Sequence, residues 1–151
     1  MSEAMITRQA DYAVRSVLDL ALRQSDESVS SRDIAERQDI PPSFLAKILT
    51  RLAAHGIVQT QRGVNGGVRL GRPAGDITLL QVVEAIDGPL SLNLCVRNPG
   101  LCPREMDCVV HPVWELIGAE LRQRLEGISF ATLAATAHTQ PISLFLPKVS
   151  A

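Results

Sequence analysis

A chain of 151 residues has room for one domain, or one small domain with an arm. Of its residues 46% are hydrophobic, mostly aliphatic, and only 3% aromatic, a balance that suits helices and argues against a β-sandwich or barrel. No run approaches the ~20 apolar residues of a membrane span, residues 1–9 lack a signal peptide's apolar core, and the net charge of −1 excludes a uniformly basic protein.

These features predict a mainly α, cytoplasmic protein whose thiols stay reduced. The charge is unevenly spread. Through Arg72 the chain holds ten Lys or Arg against eight acids; the remainder of the totals of 15 and 16 leaves five against eight. The basic excess therefore lies in the N-terminal half, the sign expected of a nucleic-acid-binding module.

Residues 7–23 read as a first helix. Thr7 can cap it, and Ala10, Ala13, Val14, Val17, Leu18, Ala21 and Leu22 recur at three- and four-residue steps. The polar stretch QSDESVSS breaks the pattern, and its last serines can cap a short helix over 32–38 that turns Ile34 and Ala35 inward. Asp39-Ile40-Pro41-Pro42-Ser43 is a turn, since proline stops one helix and opens another. A third helix over 43–54 puts Leu45, Ile48, Leu49 and Leu52 on one face and Ser43, Lys47, Thr50 and Arg51 on the other. Two helices joined by a tight turn, the second with a small, polar and basic outer face, make a helix-turn-helix.

His55-Gly56 ends that helix, and 57–62 has strand character. Arg62-Gly63-Val64-Asn65-Gly66-Gly67 is a hairpin tip, because Asn-Gly and Gly-Gly supply the positive φ such turns need, and Val68-Arg69-Leu70 returns as the second strand. A helix-turn-helix followed by a glycine-rich basic hairpin is a winged helix. A phosphate-binding loop would need a Lys-Ser/Thr pair and a following helix, and neither is present. Residues 71–76 form a linker, and Thr78 caps a helix over 79–86 that Asp87-Gly88-Pro89 ends. The expected division is a winged-helix DNA-binding domain over 1–76, a cysteine loop and dimerisation helix over 77–137, and a tail over 138–151.

All three cysteines and one of the three histidines fall in CVRNPGLCPREMDCVVH, residues 95–111. Buried structural cysteines sit on apolar periodic segments; these sit among Pro, Gly, Asn and charges, in a turning loop that can fold its thiols around one small object. A metal or an iron–sulfur cluster is the expectation. Three thiols leave one iron position to a histidine, a carboxylate or a small exogenous ligand. Structural zinc held by three Cys and one His is the rival for the same residues, although zinc's shorter cysteine spacing is absent. An enzyme using a Cys nucleophile with His55, His111 or His138 as base lacks any accompanying fingerprint, so no enzymatic activity is expected.

From Pro112 to about residue 125 a helix carries Trp114, Ile117, Leu121 and Leu125 along one stripe. A long helix with an apolar stripe needs a partner, and a homodimer reading a pseudo-palindromic double-stranded operator satisfies that need. Ser129 can cap a last helix over 130–137; the apolar tail beyond it either packs on the partner or stays unstructured.

DYAVRSVLDLA in the first helix, IPPSFLAKILTRLAAHGIV, the wing RGVNGGVRLGRPAGDITLLQVVEAID, and three cysteines followed by His111 and Trp114 together resemble the dimeric winged-helix iron–sulfur regulators of the IscR and NsrR type. The resemblance runs from Met5 to about Ala137. It implies a DNA-binding transcriptional regulator that senses redox state, nitric oxide or iron–sulfur status through a diiron or tetrairon cluster on Cys95, Cys102 and Cys108. It also implies a dimer formed by the helix from Pro112 and an Arg62 that enters a minor groove. Ser43, Lys47, Arg51, Arg62 and Asn65 are the expected DNA contacts. For the fourth ligand, the resemblance offers His111, with Asp11 of the first helix as the alternative. Two departures stand out: the spacer between Cys95 and Cys102 is one residue longer than in IscR-like members, and Ala46 stands where those members carry a glutamate, so their base preference does not transfer. A relative without a cluster, sensing a metabolite or a partner, is the remaining alternative.

Overall fold

The computed structural model describes residues 6–23 and 26–137. Seven α-helices and one two-stranded antiparallel sheet are found among them: α1 (Arg8–Leu22), α2 (Ser31–Gln38), α3 (Pro42–Ala54), β1 (Val58–Gln61), β2 (Gly67–Leu70), α4 (Leu79–Asp87), α5 (Leu94–Arg97), α6 (His111–Glu126) and α7 (Phe130–Ala137). The mainly α winged helix-turn-helix expected from the sequence is the fold observed. His138 and the tail fall outside the described residues.

Helix starts are set where the sequence offers caps. The hydroxyl oxygen of Thr7 accepts from the Ala10 amide, that of Ser30 from Arg32, and Thr78 with Gln81 forms a reciprocal capping box at the head of α4. α3 begins at Pro42, which needs no amide partner at a first helical position. The turn before it is made by Asp39 in the left-handed region at φ 52°, a conformation that Asp tolerates better than most residues.

The inward faces of α1, α2 and α3 meet in one core with Ala13, Val17, Ile34, Leu45, Ile48 and Leu52 all nearly sealed from solvent. Ile77, Val82 and Ile86 from α4 and its approach, and Phe130 of α7 at 0% exposure, belong to that same core. Phe130 is placed there by a short antiparallel pairing: the Leu79 amide donates to the Ile128 carbonyl at 2.8 Å and the Phe130 amide to Ile77 at 2.9 Å. A smaller cluster of Leu80, Val83 and Leu90 is joined by Leu121 and Leu125 from α6.

The stripe of α6 is therefore divided. Its C-terminal half rests on α4, while Val113, Trp114, Leu116 and Ile117 in the N-terminal half are exposed. His111 is the first helical residue and Val110 takes the N-cap position, one residue earlier than the proline suggests.

Candidate functional site

Two regions carry the candidate residues. The first is the outer face of α3 with the wing. Burial of Leu45, Ile48, Leu49 and Leu52 leaves Ser43, Phe44, Ala46, Lys47 and Thr50 exposed along the opposite face. Arg51 takes a different course from Ser43 and Lys47: its guanidinium donates to the Ile86 carbonyl at 3.0 Å and so ties α3 to the end of α4.

β1 and β2 pair in register from Val58 opposite Leu70 to Gln61 opposite Gly67. A third edge, which the polar stretch before α2 did not advertise, comes from Val29: its amide donates to the Val68 carbonyl at 2.8 Å and the Val68 amide donates back at 2.7 Å. The wing is thus anchored to the segment leading into α2. Two glycines make this possible. A Cβ on Gly66 would lie 2.3 Å from the Gln61 carbonyl oxygen, and one on Gly67 would lie 2.7 Å from that of Val29. At the tip, Arg62, Val64 and Asn65 are exposed, and between α3 and the wing runs a cleft of about 680 Å³ lined by Arg32, Ala46, Thr50, Gln61 and Gly66, among others.

The second region is the cysteine loop. It contains two short helical pieces, α5 and a 3-10 turn over Glu105–Asp107, rather than a plain coil. Cys95 lies on α5, Cys108 closes the 3-10 turn, and Cys102 lies between them; all three are half-buried free thiols. No residue from 91 to 110 is part of a core, and Gly100, at φ 83°, gives the loop a turn that a side chain would strain. Among the described residues no group of three or more His, Cys, Asp and Glu is drawn close enough to hold a metal ion.

His111 stands out in this loop. Its side chain is only 11% exposed, its Nδ1 has no hydrogen-bond partner, and its Nε2 lies 3.4 Å from Glu115 Oε1 and 3.9 Å from Glu105 Oε1. With the Nε2 edge facing these carboxylates, Nδ1 is the buried ring nitrogen left without a partner, and a metal-ligating histidine needs one such nitrogen. Glu115 is one helical turn after His111, so the signal was in the sequence as an i, i+4 pair. The Asn93 side-chain oxygen, beside α5, is a second buried atom without a partner. Asp11 is exposed in the first turn of α1 and pairs with Arg15, Nε to Oδ2 at 3.3 Å. His55 ends α3 with its Nδ1 2.9 Å from the Arg51 carbonyl.

The cysteine loop and the winged helix are joined through the last turn of α4. Arg97 Nη2 donates to the Asp87 carbonyl at 2.8 Å. Arg72 bridges the His55 and Gly56 carbonyls, each at 3.3 Å, to Gln81 Oε1 at 2.9 Å, so a linker arginine fastens the C-terminal end of α3 to α4. Neither arginine was singled out by the sequence, since nothing in their spacing marks what they bond.

Comparison with known proteins agrees with this fold. The HTH-type transcriptional regulator IscR of Photobacterium profundum is 33% identical over 138 residues, 91% of this chain and 80% of that protein. A putative HTH-type transcriptional regulator of Mycobacterium tuberculosis is 36% identical over 135 residues, 87% of this chain and 82% of that one. Among solved structures, IscR of T. potens superposes with a TM-score of 0.71 at 24% identity, covering 93% of this chain and 96% of that one, and CymR, the global cysteine regulator of B. subtilis, does so with 0.71 at 22%, covering 93% and 100%. Residues 6–136 match the profile of Rrf2, described as an iron-dependent transcriptional regulator, and the chain belongs to the Rrf2 family of DNA-binding transcriptional regulators.

Proposed function

We propose that this regulator is a cytoplasmic homodimer whose affinity for a pseudo-palindromic operator is switched by an iron–sulfur cluster on Cys95, Cys102, Cys108 and His111. The observation that carries the reading is the orphaned, buried Nδ1 of His111 at the end of a segment that holds all three free thiols. Leaving a buried polar atom without a partner costs about 1–3 kcal/mol, and a ligand that takes the lone pair removes that cost. The thiols need to draw together to hold iron. The loop permits this, because its residues carry no core packing that would resist. That relatives named IscR cover most of the chain, and that the family is described as iron-dependent, supports iron over another metal.

A bound cluster would supply a redox-active iron with one non-thiolate ligand, the position open to oxygen, nitric oxide or iron shortage. Ser43 and Lys47 of α3 are then the major-groove contacts, with Arg62 and Asn65 of the wing in the adjacent minor groove. Arg51 stands behind that row, engaged with α4.

Absorption spectra and metal analysis of protein purified without oxygen test the reading. Coloured protein that loses its colour, but not its helical content, in Cys95→Ala, Cys102→Ala or Cys108→Ala is the expected result. Colourless protein with stoichiometric zinc replaces the cluster by structural metal, and metal-free protein that still responds to a metabolite replaces it by a cluster-free repressor. The fourth ligand is decided by the same spectra: a shift in His111→Ala supports His111. A shift confined to Asp11→Ala transfers the role to Asp11, reaching across the dimer, and favours nitric oxide as effector.

A further inference from the structure

We infer that Arg97 and Arg51 are positioning residues for DNA binding, tying the cysteine loop and the recognition helix to two successive carbonyls at the end of α4. The last carbonyls of a helix have no intrahelical donor and carry the negative end of its dipole, so they attract guanidinium groups. At α4 two arginines from different elements answer that need. Arg51 of α3 donates to the Ile86 carbonyl at 3.0 Å, and Arg97 of α5 donates to the Asp87 carbonyl at 2.8 Å.

Each arginine reports on its own region. Arg97 shares the single turn of α5 with Cys95, so a change in that thiol's ligation moves the guanidinium with the turn. Gly88 leaves room for the Arg97 guanidinium: at φ 78° it turns the chain, and a Cβ there would lie 3.3 Å from Arg97 Nη2. Arg51 lies one helical turn after Lys47, so where Arg51 is held sets where that row of α3 points. Between them, Ile86 is packed in the main core and cannot yield freely. Movement at Arg97 is passed on to Arg51 by a stiff final turn rather than absorbed.

The inference rests on α3 as the DNA-reading helix and is independent of whether the loop holds a cluster, zinc or nothing. It is tested on chelator-treated full-length protein, with an operator duplex selected by the wild-type chain from a random-sequence pool. Arg97→Ala, Arg51→Met and the double variant are compared by fluorescence anisotropy over a salt series. Each single substitution should weaken binding roughly 5-fold. The double variant should be no worse than the weaker single one, because both break the same linkage. Arg97→Lys should recover the affinity, since one carbonyl needs one donor, and Arg104→Ala in the same loop should leave it unchanged. The salt slope should stay as in wild type, whereas loss of a phosphate contact lowers it by about one. Wild-type affinity in Arg97→Ala, losses that multiply in the double variant, or a reduced salt slope would each overturn the inference. Amide exchange that stays unchanged across α3 in Arg97→Ala would do the same.

Discussion

Thr7 and Asp87, eighty positions apart, hold the first helix to the fourth: the Thr7 hydroxyl donates to Asp87 Oδ1 at 2.6 Å and the Thr7 amide to Oδ2 at 2.9 Å. The same hydroxyl oxygen accepts from the Ala10 amide, so the α1 cap is itself fixed by the carboxylate. A carboxylate is unfavourable at the end of its own helix but favourable at the start of α1, and two charge-assisted bonds tip the balance. Asp87→Ala is expected to destabilise the fold by about 1–2 kcal/mol in urea unfolding, and Asp87→Asn by less.

Asp19, buried in α1, receives Arg37 Nε at 3.0 Å, Arg37 Nη2 at 2.7 Å and the side-chain Nε2 of Gln38 at 3.1 Å, which locks α2 against α1. Burial by itself would raise the Asp19 carboxyl, but hydrogen bonds from Arg37 and Gln38 and the charges of Arg37 and Arg23 outweigh it and hold the group below its ordinary 3.8. A depressed carboxyl contributes stability that is complete above the unfolded value and is lost as pH falls through the folded one. This pair should therefore hold constant from neutrality to about pH 5 and weaken only below about pH 4. Asp19→Asn should cost about 2 kcal/mol at pH 7, less than a sealed pair because Arg37 reaches solvent, and the deficit should shrink in acid. A deficit equal at pH 7 and pH 3 would show that hydrogen bonding alone, without charge, joins the helices.

The periodicity of α1 to α4, the Pro-Pro turn and the glycine hairpin made the winged helix legible, because each is a local signal: apolar spacing, a cap, a φ requirement. What joins the parts was not. Phe130 in a short, Ala-rich segment gave no sign that it fills the N-terminal core, since a pairing of 128–130 with 77–79 is a long-range event. The α6 stripe read as uniform because spacing alone cannot say that Leu121 and Leu125 meet α4 while Trp114 and Ile117 do not. Composition marks the cysteine loop, and the family resemblance marks His111. That its Nδ1 is orphaned required coordinates.

Gly67→Ala in the wing places a Cβ against the Val29 carbonyl at 2.7 Å and next to the Ser28 side chain at 3.1 Å, and forces an unfavourable φ of 152°. The Val29 to Val68 pairing should open and free the tip, while the helical core, which does not depend on it, stays folded. Operator affinity is expected to fall at least 10-fold with far-UV circular dichroism unchanged, since a lost minor-groove anchor costs about 1.4 kcal/mol or more. Undiminished binding would mean the wing contributes little.

Arg62 is exposed at the base of that tip. Arg62→Ala should weaken binding most on duplexes with A·T-rich flanks, where a narrow minor groove concentrates negative potential around an inserted guanidinium. Equal loss on G·C-rich flanks would reduce Arg62 to a phosphate contact.

Val113, Trp114, Leu116 and Ile117, in the N-terminal half of α6, stay exposed among the described residues, with Trp114 39% and Leu116 61% exposed. The adjoining Gly118 is buried, yet a Cβ there would meet nothing within 4 Å, so a helix from a second copy has room to approach closely. If α6 is the dimer contact, Leu116→Asp should be tolerated by the single chain, where an exposed substitution changes stability by no more than about 0.5 kcal/mol, and should split the dimer. Sedimentation at micromolar concentration would then show a monomer, and Trp114 fluorescence would shift to the red as the indole meets water. Operator binding would weaken as well, because two half-sites are read through two-fold symmetry. A variant that still sediments as a dimer with unshifted fluorescence would place the contact elsewhere on the molecule and leave the α6 face free.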